Sequence, residues 1–202
     1  MAKALRIGGF VSGAILIVFG IVVIALAING RSTVTDSLKD EKIVGSSDMN
    51  PTDIEAAMKE AGLTGVAVPS CDVADEPIDT GTEARCFAEY MRIHALEASG
   101  GLTYAEMGRF ATADGSAKGT NDAEQAVKDD KGQPVSNSAR NLWVTETALS
   151  TALNVSYMAE QLSLFSLVVG IALLLAGVGF IVLAWAALRP APAGEPAPPA
   201  TA

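Results

Sequence analysis

One histidine and two cysteines limit the chemistry open to this chain of 202 residues. A two-histidine-one-carboxylate iron site cannot be assembled from one copy, because His94 is the only imidazole. The usual zinc sites also lack ligands if the cysteines pair with each other. A lone histidine on a helix packs or hydrogen-bonds more often than it catalyses, and His94 is read that way. Cys71 and Cys86 predict a disulfide if their segment is exported, with two free thiols as the alternative. The bridge would close a ring of about 15 residues and stabilise by roughly 3 kcal/mol in the chain-entropy model. Asp122, Glu124, Asp129 and Asp130 bracket a loop that can attract a hard cation such as calcium. Their spacing is not that of an EF-hand, and a solvated acidic loop is the plainer reading. No phosphate-binding loop, nucleophile elbow or dinucleotide fingerprint stands in a suitable context. Asn154-Val155-Ser156 is a formal glycosylation sequon, but it falls within a helical run. The expectation is therefore no catalytic residue, no metal and no cofactor.

The elements that carry these residues are set by two uncharged runs. Ile7 to Ile28 holds no charge in 22 positions, and Leu162 to Leu188 holds none in 27. Each exceeds the roughly 20 residues needed to cross a hydrocarbon core. They predict transmembrane helices at 7–28 and 162–188. Residues 1–6 and the Pro/Ala-rich tail 189–202 lie outside them, the tail reading as disordered or polyproline-like. Lys3, Arg6 and Arg189 flank the two runs, so the positive-inside rule puts both termini in the cytoplasm and residues 29–161 outside. Arg31 stands against that rule and is outweighed. Lys3, Arg6 and Ala25-Leu26-Ala27 also fit a cleaved signal peptide, although the apolar run is longer than such segments usually are. Gly9, Gly13 and Gly20 line one side of the first run. In the second, Ala172 and Ala176 repeat the small-xxx-small spacing, and Gly170 and Gly177 stand seven apart. Such faces let helices approach closely in lipid, so one reading is that the two spans pack on each other or on a partner; the other is that Gly and Ala are simply common in membrane spans.

The intervening segment carries 11 basic and 22 acidic side chains, a formal charge of −11. That balance excludes binding to nucleic acid phosphates. Val34 and Leu38 can prolong the first helix toward Asp40, although Gly30 weakens it. Lys42-Ile43-Val44 reads as a short extended piece. Asn50 and Pro51 open a helix that stops at Gly62. Thr80 and Glu83 form a capping box for a helix over Gly81–Ser99. Its stripe is Ala84, Phe87, Ala88, Met91, Ala95 and Ala98. Arg85–Glu89 and Glu89–Arg92 are candidate ion pairs on it. Thr103 and Glu106 form a second capping box, and residues 112–133 read as loop or hairpin. From Val135 to Leu188 nothing breaks a helix before Gly170. Leu142, Leu149 and Leu153, widened by Ala148, Ala152 and Val155, form the stripe expected to pack on the Gly81–Ser99 helix. Glu146 and Glu160 stand along it with no partner in view.

The run from His94 to Glu106 (HALEASGGLTYAE) resembles stretches in small actinobacterial membrane proteins of two spans. Asn141-Leu142-Trp143, Tyr157-Met158-Ala159-Glu160 and Gly177-Val178-Gly179-Phe180 are similar to the same group. The likeness covers most of the chain except the tail and the 112–133 loop. Proteins of this group often carry the description aromatic ring-opening dioxygenase. The extradiol enzymes of that name hold iron with two histidines and a carboxylate, a set this chain lacks. The resemblance thus implies topology and lineage rather than activity.

These readings give a mainly α membrane protein: two antiparallel transmembrane helices carrying a small, mostly helical, disulfide-stapled extracytoplasmic domain. Membrane lipid is an expected partner, together with another protein or a second copy met through the spans. The leading functional expectation is a non-catalytic envelope scaffold or accessory subunit. An extracytoplasmic ligand sensor is the alternative, and an enzyme is disfavoured.

Overall fold

The structure, a computed structural model, describes residues 2–186. Met1, the end of the second apolar run, Arg189 and the tail expected at 189–202 lie outside the described residues. Four helices follow in order: α1 Ala2–Glu41, α2 Pro51–Glu60, α3 Gly81–Ala98 and α4 Ser138–Ala186, with a single 3-10 turn at Tyr104–Glu106. Among the described residues there are no strands, only isolated antiparallel bridges such as Val44–Pro77 and Phe110–Thr120. The chain divides into two compact units. One gathers the residues up to Asn29 and those from Leu162 onward, and the other is Gly30–Gln161.

In the first unit, α1 and α4 are long and apolar enough to cross a membrane by length and composition. Large apolar side chains, among them Phe19, Leu26, Phe165 and Leu175, point outward. The inward side is marked by glycine, with Ile17, Ile24 and Ile181 beside it. A Cβ added at Gly13 would sit 2.7 Å from the Gly177 carbonyl oxygen, and one at Gly20 would sit 2.8 Å from that of Gly170. Gly9 meets Ala184, whose Cβ lies 2.9 Å from the same construction. Gly13, Gly20, Gly170 and Gly177 are buried, whereas Ala172 and Ala176 are exposed. The seven-residue glycine spacing, not the alanine pair, marks the contact face of the second run. At about 100° per residue, positions 170 and 177 nearly coincide around the helix, while 172 and 176 fall on its far side.

The second unit has a core with few aromatic residues. Ile54, Ile78 and Tyr90 are fully buried, and Ile93, Val73 and Met49 are nearly so. Local chemistry sets its helices. The Asn50 side chain accepts from the Asp53 amide at 3.0 Å, with Pro51 at the first helical position. The Thr80 hydroxyl accepts from the Glu83 amide, and the Glu83 carboxylate returns the bond to the Thr80 amide at 2.9 Å. Cys71 and Cys86 form the disulfide. Beside it the Tyr90 hydroxyl donates to the Cys71 carbonyl at 2.6 Å. Buried Ser99 ends α3, accepts from the Trp143 indole at 3.2 Å and donates to the Leu102 carbonyl at 2.6 Å. Gly100 and Gly101 follow with φ of 63° and 81°, a left-handed exit that glycine makes without strain.

Several expectations change in detail. α1 continues through Gly30 to Glu41. α4 starts at Ser138 rather than Val135, because buried Asn137 caps it through the Ala139 amide while donating to the Gly108 and Ala117 carbonyls. The same asparagine thereby pins the long loop, which folds through bridges rather than a hairpin of strands. The stripe expected on α3 is half right. Ala84, Ala88 and Ala95 are buried, but Ala98 is exposed, and the bulk of the core comes from Cys86, Tyr90, Ile93 and Leu96. On α4, Leu153 is buried but Leu142, Leu149 and Val155 are exposed. The buried line is Trp143, Glu146, Leu153 and Glu160. Two carboxylates sit on it, so hydrophobic periodicity could not reveal it.

Candidate functional site

The two buried carboxylates of α4 have opposite environments. Glu160 is fully engaged. Its Oε2 accepts from the Thr82 amide at 2.9 Å and the Thr82 hydroxyl at 3.2 Å, and its Oε1 lies 3.6 Å from the Arg31 guanidinium. It therefore places negative charge on the N-terminus of α3, where the unpaired amides and helix dipole favour it. Gly81 permits the approach, since a Cβ there would stand 2.7 Å from the Ser156 carbonyl oxygen. One contact thus joins α1, α3 and α4. The sequence reading left Glu160 without a partner and treated Arg31 only as a topological exception.

Glu146 is only 4% exposed, yet among the described residues it meets no cation. It accepts from the Ser150 hydroxyl at 2.8 Å and the Thr147 hydroxyl at 3.3 Å, both on its own helix. It borders two clefts. One, of about 430 Å³, is also lined by Glu89, Arg92, Ser150, Asn154 and Met158. The other, of about 240 Å³, is lined by Met91, His94, Leu142 and Leu149. A third cleft, of about 610 Å³, is also largely apolar, lined by Leu38, Ile43, Phe87, Met91 and Leu153 together with Glu41.

The remaining candidates serve the fold. His94 Nδ1 hydrogen-bonds with Glu97 at 2.8 Å, and its Nε2 lies 3.6 Å from an Asp48 oxygen. Arg85 pairs with Glu89 at 3.2 Å and covers the Tyr157 ring; the Glu89 carboxylate, then Tyr157, holds its guanidinium above the usual value. The second expected pair, Glu89–Arg92, does not form. Arg92 instead lies over the Trp143 ring, 5.1 Å from its centroid. Asp122 accepts from the Glu124 amide and Asp129 from the Lys131 and Gln133 amides, so these loop acids close turns. Glu106 and Asp114 are held below the usual carboxylate range by bonds from Thr103, and from Thr112 then Ser116, respectively. No group of three metal-ligating side chains occurs among the described residues.

No protein-family model matches the chain, and no curated protein or solved structure matches it either. What can be said of function rests on the geometry above. The features that sequence reasoning missed are Glu146, Glu160, Arg31 and Arg92. One signal was available for the carboxylates: Glu146, Leu153 and Glu160 recur every seven residues, the repeat of a buried helix face.

Proposed function

We propose that this is an integral membrane protein with two antiparallel spans, at 7–28 and from 162 onward, and that residues 29–161 form a non-catalytic extracytoplasmic scaffold or accessory domain. The outward apolar surfaces of α1 and α4 support membrane insertion. The antiparallel reading is supported by the order of the glycine contacts, in which Gly9, Gly13 and Gly20 meet Ala184, Gly177 and Gly170 in turn. These contacts also favour a retained anchor over a cleaved signal, because removal of the first helix would strip the glycine face of the second. The disulfide supports an oxidising compartment.

The observation that carries the scaffold reading is the use made of ionisable groups. Glu160 ties three helices together, Glu83 and Glu106 cap local N-termini, and Glu97 holds His94. Affinity purification of the tagged protein from its native membrane in mild detergent, with partner identification, tests it. A reproducible partner or a defined oligomer is expected; neither appearing would sink it. Topology is tested separately with a membrane-impermeant maleimide on intact cells. Asp130→Cys should label and Ala4→Cys should not.

A sensor acting through a partner is the second reading. It is favoured by the 610 Å³ apolar cleft, within the range of small-molecule sites. Thermal-shift screening of the full chain against apolar compounds tests it, and no stabilising compound would count against it.

A further inference from the structure

We propose that the groove of about 430 Å³ between α3 and α4 binds a small zwitterion of the α-amino acid class, with its ammonium on Glu146 and its carboxylate on Arg92. This goes beyond the scaffold reading and does not depend on the apolar cleft. The argument starts from two charges of opposite sign that line one groove without pairing. Glu146 is 96% buried by its 4% exposure, and among the described residues its only hydrogen-bond donors are the neutral hydroxyls of Ser150 and Thr147. A carboxylate taken out of water is costly unless a cation joins it. Among the described residues Arg92 forms no ion pair, since Glu89, the carboxylate expected to take it, is held by Arg85. Its guanidinium is parked over the Trp143 ring, which orients the planar fork that grips carboxylates in a bidentate manner.

The chemistry of the lining narrows the ligand. A metal cation would meet Arg92 in the same groove, and a simple anion would meet Glu89 and Glu146. A zwitterion satisfies both ends. Its polarity is also fixed: Glu146 is buried and Arg92 is exposed, so the ammonium enters first and the carboxylate stays at the mouth. Ser150 and Asn154 offer further polar contacts, and Val155 and Met158, both exposed, give a surface for an apolar ligand side chain. The volume lies toward the small end of ligand pockets.

Thermal unfolding and calorimetry on the full chain in detergent test this. The probes are the standard amino acids one at a time, a primary alkylamine and an alkyl carboxylate, all at equal concentration. At least one amino acid should raise Tm saturably, and neither single-charge probe should match it. Glu146→Gln keeps the size and the hydroxyl partners of the carboxylate, and Arg92→Lys keeps the charge but loses the fork. Each should weaken Kd by about tenfold or more, a loss typical of one charge-assisted bond. Arg92 is exposed, so its variant reports on binding even if Glu146→Gln fails to fold. The proposal is overturned if no amino acid shifts Tm, if a single-charge probe does as well, or if Arg92→Lys leaves Kd unchanged.

Discussion

The two units of this chain solve the same problem, bringing α1 and α4 together, by opposite means. In the apolar unit, contact is made by absence of side chain: Gly13 faces Gly177 and Gly20 faces Gly170, backbone against backbone. If the proposed membrane insertion holds, lipid is as apolar as leucine, so hydrophobic burial offers no drive there and close van der Waals approach replaces it. In the acidic unit, burial is available but scarce, because the core has few aromatic side chains. There a small apolar core, holding Leu38 of α1 and Leu153 of α4, is supplemented by polar devices: the Glu160–Thr82–Arg31 contact and the Ser99–Trp143 bond between helices, and the Asn137 cap and the disulfide that tie loops to them. The difference teaches where each unit is fragile. The first fails by addition of atoms, and the second by their removal.

The largest effect is expected from the staple. Replacing Cys71 and Cys86 by alanine should destabilise the acidic unit by about 3 kcal/mol in the chain-entropy model, measured by denaturant unfolding followed through Trp143 fluorescence. The apolar unit should be indifferent to that change and sensitive to another. Gly20→Leu places a Cβ 2.8 Å from a backbone oxygen that cannot swing aside. It should cost about 1–3 kcal/mol of helix pairing in a detergent titration. Gly8→Leu is the control, because nothing lies within 4 Å of a Cβ at Gly8. Equal effects of the two leucines would erase the distinction drawn between the units.

Glu160→Ala comes next. It strands the Thr82 amide and removes charge from the α3 N-terminus, for about 1–2 kcal/mol. Arg31→Ala should cost less. The Arg31 side chain is 56% exposed and sits 3.6 Å from the carboxylate, conditions under which ion pairs contribute little. A larger loss at Arg31 than at Glu160 would show that the ion pair, not the helix cap, does the joining.

What could be read in advance followed the range of the interaction. The Asn50 and Thr80 caps close over three residues, and the structure makes both. The Cys71–Cys86 bridge followed from two cysteines and the expectation of export. The long apolar runs declared themselves by length. Glu160 was opaque because its partner Thr82 is 78 residues away, and nothing about either residue names the other. Asn137 was missed for the same reason, reaching back 29 residues to Gly108. The buried face of α4 was hidden by its own carboxylates, since a search for apolar spacing selects Leu142 and Leu149, which face the clefts instead. Polar groups at buried positions are therefore where such readings fail, and here they are also where the candidate site lies.

The smallest predicted effect separates the units by pH. Tyr90 is fully buried, and loss of hydration, then the nearby Asp72 and Glu89 carboxylates, push its hydroxyl above the ordinary value of 10.0. The folded state thus favours the protonated form. Its contribution is fully present below pH 10 and is lost as the pH rises through the folded value, because there the native state holds a proton that the unfolded chain has released. Tyr90→Phe removes the bond to the Cys71 carbonyl, costing about 1 kcal/mol near neutral pH. It also removes this alkaline penalty, so the difference between wild type and variant should shrink above pH 10. A gap that stays constant across that range would mean that Tyr90 ionises in the folded chain as freely as in the unfolded one. The apolar unit has no tyrosine between residues 2 and 29 or 162 and 186, and its pairing should not follow this curve.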